Sequence, residues 1–160
     1  MVEQIEIRPL HGQDEAQACA HYMANTSPWN QLGMSYDLLL RSLTDETKDV
    51  YVAADGDAPV GLIVIDMRGS FVGYIKSLGV FPGWQGRGVG HRLLAFAEES
   101  IFGRSPNMFI CVSSFNPRAQ RLYENFGFSV VGRLTNYVVN GHDEILLRKT
   151  IAPLSDFRKR

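Results

Sequence analysis

Between Gln85 and Gly90 the chain reads Gln-Gly-Arg-Gly-Val-Gly, just where an apolar stripe at helical spacing begins. Glycines at alternate positions, 86, 88 and 90, remove the Cβ atoms that would hold a ligand off the backbone. A helix opening here aims its unpaired N–H groups at the same spot, with the positive end of its dipole behind them. That combination is an anion site, and it suits a pyrophosphate. The dinucleotide fingerprint G-x-G-x-x-G fails, because counting from Gly86 its last position falls on His91. A P-loop fails too, since no Lys-Ser/Thr pair follows Gly88. On this segment alone, a loop whose glycines only permit tight strand-to-helix packing remains open.

The elements that must position this loop can be read from the pattern. Ile5 and Ile7 alternate with charged residues as a short strand ended by Pro9. From about Gln13, Ala16, Cys19, Ala20 and Met23 form a helical stripe. Asn25 to Gly33 reads as loop, and Ser35 is placed to cap a helix with Leu39 and Leu43 inside. Strands are expected at Val50–Ala54 and Pro59–Asp66 around Asp55-Gly56-Asp57, then from about Phe71 to Val80. A helix follows the glycine-rich loop to about Phe102, with Val89, Leu93, Ala97 and Ile101 buried. Met108–Ser113 is the next strand. Asn116-Pro117 combines a good N-cap with a proline suited to the first helical position, and Gly127 stops that helix. Ala119, Leu122 and Phe126 are expected to face inward. Val130–Tyr137 and Asp143–Arg148 are expected to form a hairpin through Asn140-Gly141. The result is one α/β domain spanning 1–160, a mixed sheet with helices on its faces and one central parallel βαβ pair.

Composition excludes several classes. With 16 basic and 17 acidic residues the net charge is -1, so nothing favours nucleic acid as a partner. The basic end, about 154–160, reads as a solvated tail. The longest apolar run, Val60 to Ile65, is far too short to span a bilayer. The start lacks a signal-peptide pattern, and the cysteines, Cys19 and Cys111, make neither a disulfide framework nor a metal site. The four histidines show no ligand spacing. The expectation is a cytoplasmic protein, monomer or homodimer, without a metal.

Gln85, Gly88 and Gly90, with Pro82 and Gly83 in the lead-in turn, resemble the coenzyme-A loop of the GNAT superfamily of N-acetyltransferases. Asn116-Pro117-Arg118-Ala119, Leu122-Tyr123-Glu124 and Phe126-Gly127-Phe128 resemble a second block of that family, in the right order. The resemblance implies a seven-stranded, mostly antiparallel sheet whose central parallel pair is splayed to hold acetyl-CoA. It implies that the main chain of Leu78, Gly79 and Val80 bonds the pantetheine arm like an added strand. It further implies that N–H groups across Gly86, Arg87, Gly88, Val89, Gly90 and His91 hold the pyrophosphate, that Asn116 contacts pantetheine, and that Tyr123 sits beside the thioester sulfur.

The reaction so implied is direct attack of an amine on the thioester, with a main-chain N–H near Val80 stabilising the oxyanion. Tyr123 is the implied acid, although a packing aromatic next to Leu122 is the plainer reading of an isolated helix. A tyrosine near pKa ~10 protonating a thiolate near ~8.5 is uphill by roughly 2 kcal/mol, which favours a hydrogen bond over complete transfer. Many relatives carry a glutamate on the strand before the loop or five residues before the capping Asn. Here those places hold Tyr74, Lys76 and Ser77, and Cys111. Tyr74 resembles the tyrosine that orders a water in some protein N-terminal acetyltransferases, and by strand alternation it shares a face with Leu78 and Val80. A packing tyrosine is the alternative.

An α-amine of pKa ~8 is far more often neutral at pH 7 than a lysine near ~10.4, a difference of roughly 3 kcal/mol in available nucleophile. A site without a strong base therefore suits α-amines or weakly basic small amines. Thr135–Val138 resembles the hairpin of the protein N-terminal and ribosomal-protein alanine branch, with Tyr137 as a pocket residue. Trp29, in the loop Thr26–Met34, is placed in an acceptor lid. A non-catalytic acyl-CoA-binding or sensing module on the same fold is the alternative to an enzyme.

Overall fold

The computed structural model describes residues 4–157. Their order is β1 (Ile5–Pro9), α1 (Gly12–Ala24), α2 (Tyr36–Leu43), β2 (Asp49–Asp55), β3 (Ala58–Asp66) and β4 (Tyr74–Val80). There follow α3 (Val89–Phe102), β5 (Asn107–Ser113), α4 (Pro117–Phe126), β6 (Ser129–Leu134), β7 (Glu144–Thr150) and α5 (Leu154–Phe157). The strands form one seven-stranded sheet in the order β1-β2-β3-β4-β5-β7-β6. Every pairing is antiparallel except β4 with β5. This is the expected mixed sheet, with its parallel pair at the centre.

Each sheet face buries its own core. One cluster joins Ile63, Ile65, Ile75, Ile110 and Leu147 to Leu93, Leu94 and Ala97 of α3. The other joins Val52, Leu62 and Val64 to Ala16, Cys19, Ala20 and Met23 of α1 and Leu39 and Leu43 of α2. These helical residues are the stripes expected from a 3.6-residue period. Ser35 caps α2 by accepting the Leu38 N–H at 3.2 Å. Arg8 of β1 pairs with Glu15 of α1 at 2.7 Å, tying the edge strand to its covering helix.

Some expected boundaries shift. β4 begins at Tyr74, not near Phe71, which lies exposed in the preceding bend. Gly73 explains the late start: its φ of +91° is a conformation that side chains resist, and an added Cβ would stand 2.2 Å from the Asn107 carbonyl oxygen. β6 stops at Leu134, so the Asn140-Gly141 two-residue hairpin gives way to a wider loop from 135 to 143. That loop is organised by Asp143 and Asn136. Asp143 accepts the Asn136 N–H at 3.1 Å, and the Asn136 side chain accepts the Gly141 N–H at 2.9 Å. Part of the expected basic tail, Leu154–Phe157, is a short helix, and the remainder lies outside the described residues. On α4, Tyr123 is the buried residue, while Ala119, Leu122 and Phe126 are only partly covered.

Candidate active site

β4 and β5 pair only at Tyr74–Phe109 and Ile75–Ile110, and beyond that the ladder ends. A cavity of about 880 Å³ occupies the gap. The Phe81 N–H donates to the Val60 carbonyl at 2.8 Å, toward β3. Main-chain groups alternate in direction along a strand, so those of Val80 and Leu78 point the other way, into the gap. The Val80 carbonyl there accepts the Tyr22 hydroxyl at 2.6 Å and the Gln85 side-chain amide at 3.1 Å. Gln85 thus folds back to fix the loop to the strand. Tyr22 does the same from α1, a role that its position in a distant helix kept out of view in the sequence.

At one end of the cavity lies the glycine loop. Gly86 and Gly88 have φ of +74° and +83°, and Gly88 is the N-cap residue of α3. Gly86, Gly88, Val89, Gly90 and His91 all line the cavity, with the first turn of α3 opening onto it. The Arg87 guanidinium lies 5.0 Å from the centre of the Trp84 ring, leaving its main chain to the loop. An added Cβ on Gly86 would meet the Arg118 guanidinium at 3.5 Å. Arg118 therefore brings a positive charge beside the glycine loop from the next helix. It sits within the Asn-Pro-Arg-Ala block, but only the folded chain shows that it reaches the glycine loop.

Asn116 lines the cavity and accepts the Ala119 N–H at 3.2 Å, capping α4 as its sequence context demands. One helical stretch later, Tyr123 lies 6% exposed, edge-on to Phe128 with ring centres 6.1 Å apart. Burial pushes its hydroxyl well above the usual tyrosine range. It also borders the cavity.

The opposite end is assembled from β4, β5, β7 and the 135–143 loop. Strand alternation misplaces Tyr74. Ser77 pairs with Val64 and Ile75 with Ile65, which makes Lys76 the extra residue of a β-bulge. Ile75, Leu78 and Val80 then share one face, and Tyr74 lies on the other, with Ser77 and Gly79. Tyr74 is turned toward Cys111, and burial, with the neighbouring thiol, pushes its hydroxyl far up. The Cys111 thiol is also raised by burial. Trp29 is not an open lid residue. It is 6% exposed and packed on Gly79, where an added Cβ would stand 2.6 Å from the indole. It therefore forms a wall of the cavity. Tyr137, 61% exposed, stands at the mouth.

Glu144 is the residue that the sequence did not single out. It opens β7 opposite Ser113 of β5 and is 6% exposed. The Ser113 hydroxyl donates to its carboxylate, while Oε2 has no hydrogen-bond partner among the described residues. Burial raises its pKa, offset in part by Ser113 and by the charge of His142. No spacing rule finds it, because a lone Glu after a loop resembles any surface carboxylate.

Residues 14–128 match the model of the acetyltransferase (GNAT) family. The chain belongs to that family. N-alpha-acetyltransferase RimI of Mycobacterium tuberculosis is 32% identical over 143 residues, covering 84% of this chain and 86% of that protein. The fold is also that of the ribosomal-protein-S18-alanine N-acetyltransferase of Escherichia coli, with a TM-score of 0.76 at 19% identity over 93% and 95% of the two chains. An aminoglycoside 6'-N-acetyltransferase complexed with coenzyme A superposes nearly as well, with a TM-score of 0.75 at 18% identity over 92% and 98%. This GNAT member is an acyl-CoA-dependent N-acetyltransferase. The fold is shared by enzymes named for protein and for aminoglycoside acceptors, so it does not select between them. Among the described residues, no helix is long and apolar enough to cross a membrane.

Proposed function

We propose that this protein transfers the acetyl group of acetyl-CoA to the N-terminal α-amine of a peptide or protein. One observation carries the reading: the cavity runs unbroken from the glycine loop, along the exposed edge of β4, past Tyr123, to Tyr137 and Glu144. Phosphates fit the first end, where N–H groups and Arg118 gather. Pantetheine fits the edge of β4, whose main-chain groups at Leu78 and Val80 face the gap as they would face an added strand. The acceptor then enters from the Tyr137 end. A named relative that acts on α-amines, similar over most of both chains, supports that choice over small-molecule amines.

The chemistry follows from the same layout. The amine nitrogen attacks the thioester carbon, and the main-chain N–H of Val80 faces the gap where an oxyanion would form. As the C–S bond breaks, Tyr123 donates a hydrogen bond to the sulfur. Its burial makes complete proton loss still more costly than for an ordinary tyrosine, so stabilisation without transfer is its part.

The test is release of free coenzyme A from acetyl-CoA over a panel of N-terminal peptides, lysine peptides, polyamines and amino sugars. Turnover on free N-terminal peptides and none on N-acetylated ones is expected. Turnover confined to polyamines or amino sugars would replace the acceptor. Acetyl-CoA binding without turnover on any amine would replace catalysis by a binding role.

A further inference from the structure

We propose that Glu144 is the carboxylate that binds the acceptor's ammonium group and takes its proton before attack. This assignment rests on the acetyl-transfer reading above and adds the group that the reaction needs. An ammonium has no lone pair, so a proton must leave before the nitrogen can form a bond. β4 and β5, which flank the gap, carry no Asp or Glu at all. β7 supplies one. Glu144 faces Ser113 across the β5–β7 ladder and lies on the same sheet face as Cys111 and Tyr74.

A structural carboxylate at this depth would have both oxygens engaged. Oε2 has no hydrogen-bond partner among the described residues, although Glu144 borders the cavity. The arrangement has a donor missing, and an ammonium is a donor with a charge to match. The titratable groups around it are Tyr74 on β4, Cys111 on β5 and His142 on the 135–143 loop, with Tyr137 of that loop near Tyr74. None of these brings a permanent cation to the carboxylate. Asp143, adjacent in sequence, is already committed to Arg133 at 2.9 Å. Burial raises the proton affinity of Glu144, which brings it closer to that of an α-amine and eases the transfer.

The balance is simple. R–NH₃⁺ gives one proton to Glu144, the freed nitrogen bonds to the acetyl carbon, and the C–S bond breaks. The second nitrogen proton goes to the coenzyme A thiolate, and Glu144 returns its own to solvent.

The experiment compares wild type with Glu144→Gln on an N-terminal peptide from about pH 6 to about pH 9.5, across the α-amine titration. Acetyl-CoA affinity, measured separately, confirms the fold and should be unchanged. Turnover of Glu144→Gln should fall about 100-fold near neutrality. The deficit should shrink as pH rises through the α-amine pKa, because a neutral amine needs no base. A folded Glu144→Gln with wild-type rates and pH profile overturns the assignment. If wild type binds acetyl-CoA but acetylates no amine, the enzymatic reading has failed, and ammonium recognition is read by peptide binding in the presence of coenzyme A. Glu144→Gln should then lose at least tenfold in affinity for the free N-terminus and none for the N-acetylated peptide. Equal affinities overturn it.

Discussion

The two ends of the cleft are built from different materials. On the proposed reading the donor lies at the glycine-loop end, which is mostly backbone: Gly86, Gly88, the first turn of α3 and the edge of β4 offer N–H groups, with Arg118 beside them. The other end, proposed for the acceptor, is side chain. Tyr74, Cys111, Tyr137 and Glu144 come from three strands and a loop, and meet only when the sheet forms. A backbone site is fixed by local sequence, because glycines and caps act on their own neighbours. A side-chain site depends on register, so one residue of slip moves it to the other face. Coenzyme A recognition should therefore tolerate changes at the far end, and acceptor recognition should tolerate changes in the loop.

The largest effect that would break this contrast belongs to the loop. Gly88 has φ of +83° with open space where a Cβ would go, so the chain itself resists a side chain only through backbone strain. The open space is where phosphate would lie. Gly88→Val should weaken acetyl-CoA binding on the order of 100-fold, ~2.7 kcal/mol, as read by calorimetry. Peptide affinity for whatever coenzyme A complex still forms should stay unchanged. A comparable loss of peptide affinity would show the two ends to be one coupled site.

Tyr123 lines the cavity that joins the two ends and sharpens the contrast. If it only donates a hydrogen bond to the departing sulfur, Tyr123→Phe should lower kcat about tenfold and leave the KM for acetyl-CoA nearly unchanged. An unchanged kcat would return Tyr123 to packing against Phe128.

The same contrast explains what could be read before the structure. The local elements were legible: Asn116-Pro117 caps α4, the glycines of the loop take positive φ, and the helical stripes of α1, α2 and α3 are buried as their periods require. The acceptor end was not. Alternation put Tyr74 with Leu78 and Val80, and the bulge at Lys76 reversed it, because a bulge has no signature in side-chain type. Leu122 was expected inside, with Tyr123 a packing aromatic beside it, yet Tyr123 is the better-buried of the two. Trp29 looked like lid and is wall, because Gly79 leaves a space that the indole, from the loop after α1, fills. Glu144 escaped notice because its meaning lies in Ser113 and Tyr74, neither near it in sequence.

The smallest effect tests whether the acceptor end is held at a cost to the fold. Burial raises the folded-state pKa of Glu144 above its unfolded value. The folded chain therefore holds that proton more tightly than the unfolded chain does. Below the ordinary carboxylate value both states are protonated and nothing is lost. As pH rises from there through the raised folded value, stability falls, and above it the loss is complete. Ligand-free Glu144→Gln removes the charge without the burial, so its Tm at neutral pH should exceed that of wild type. The gap should close below about pH 4. A group kept for packing would behave in the opposite way, because losing a satisfied carboxylate lowers Tm at neutral pH. A variant that is slower and more stable would mark Glu144 as a residue whose partner arrives with the acceptor.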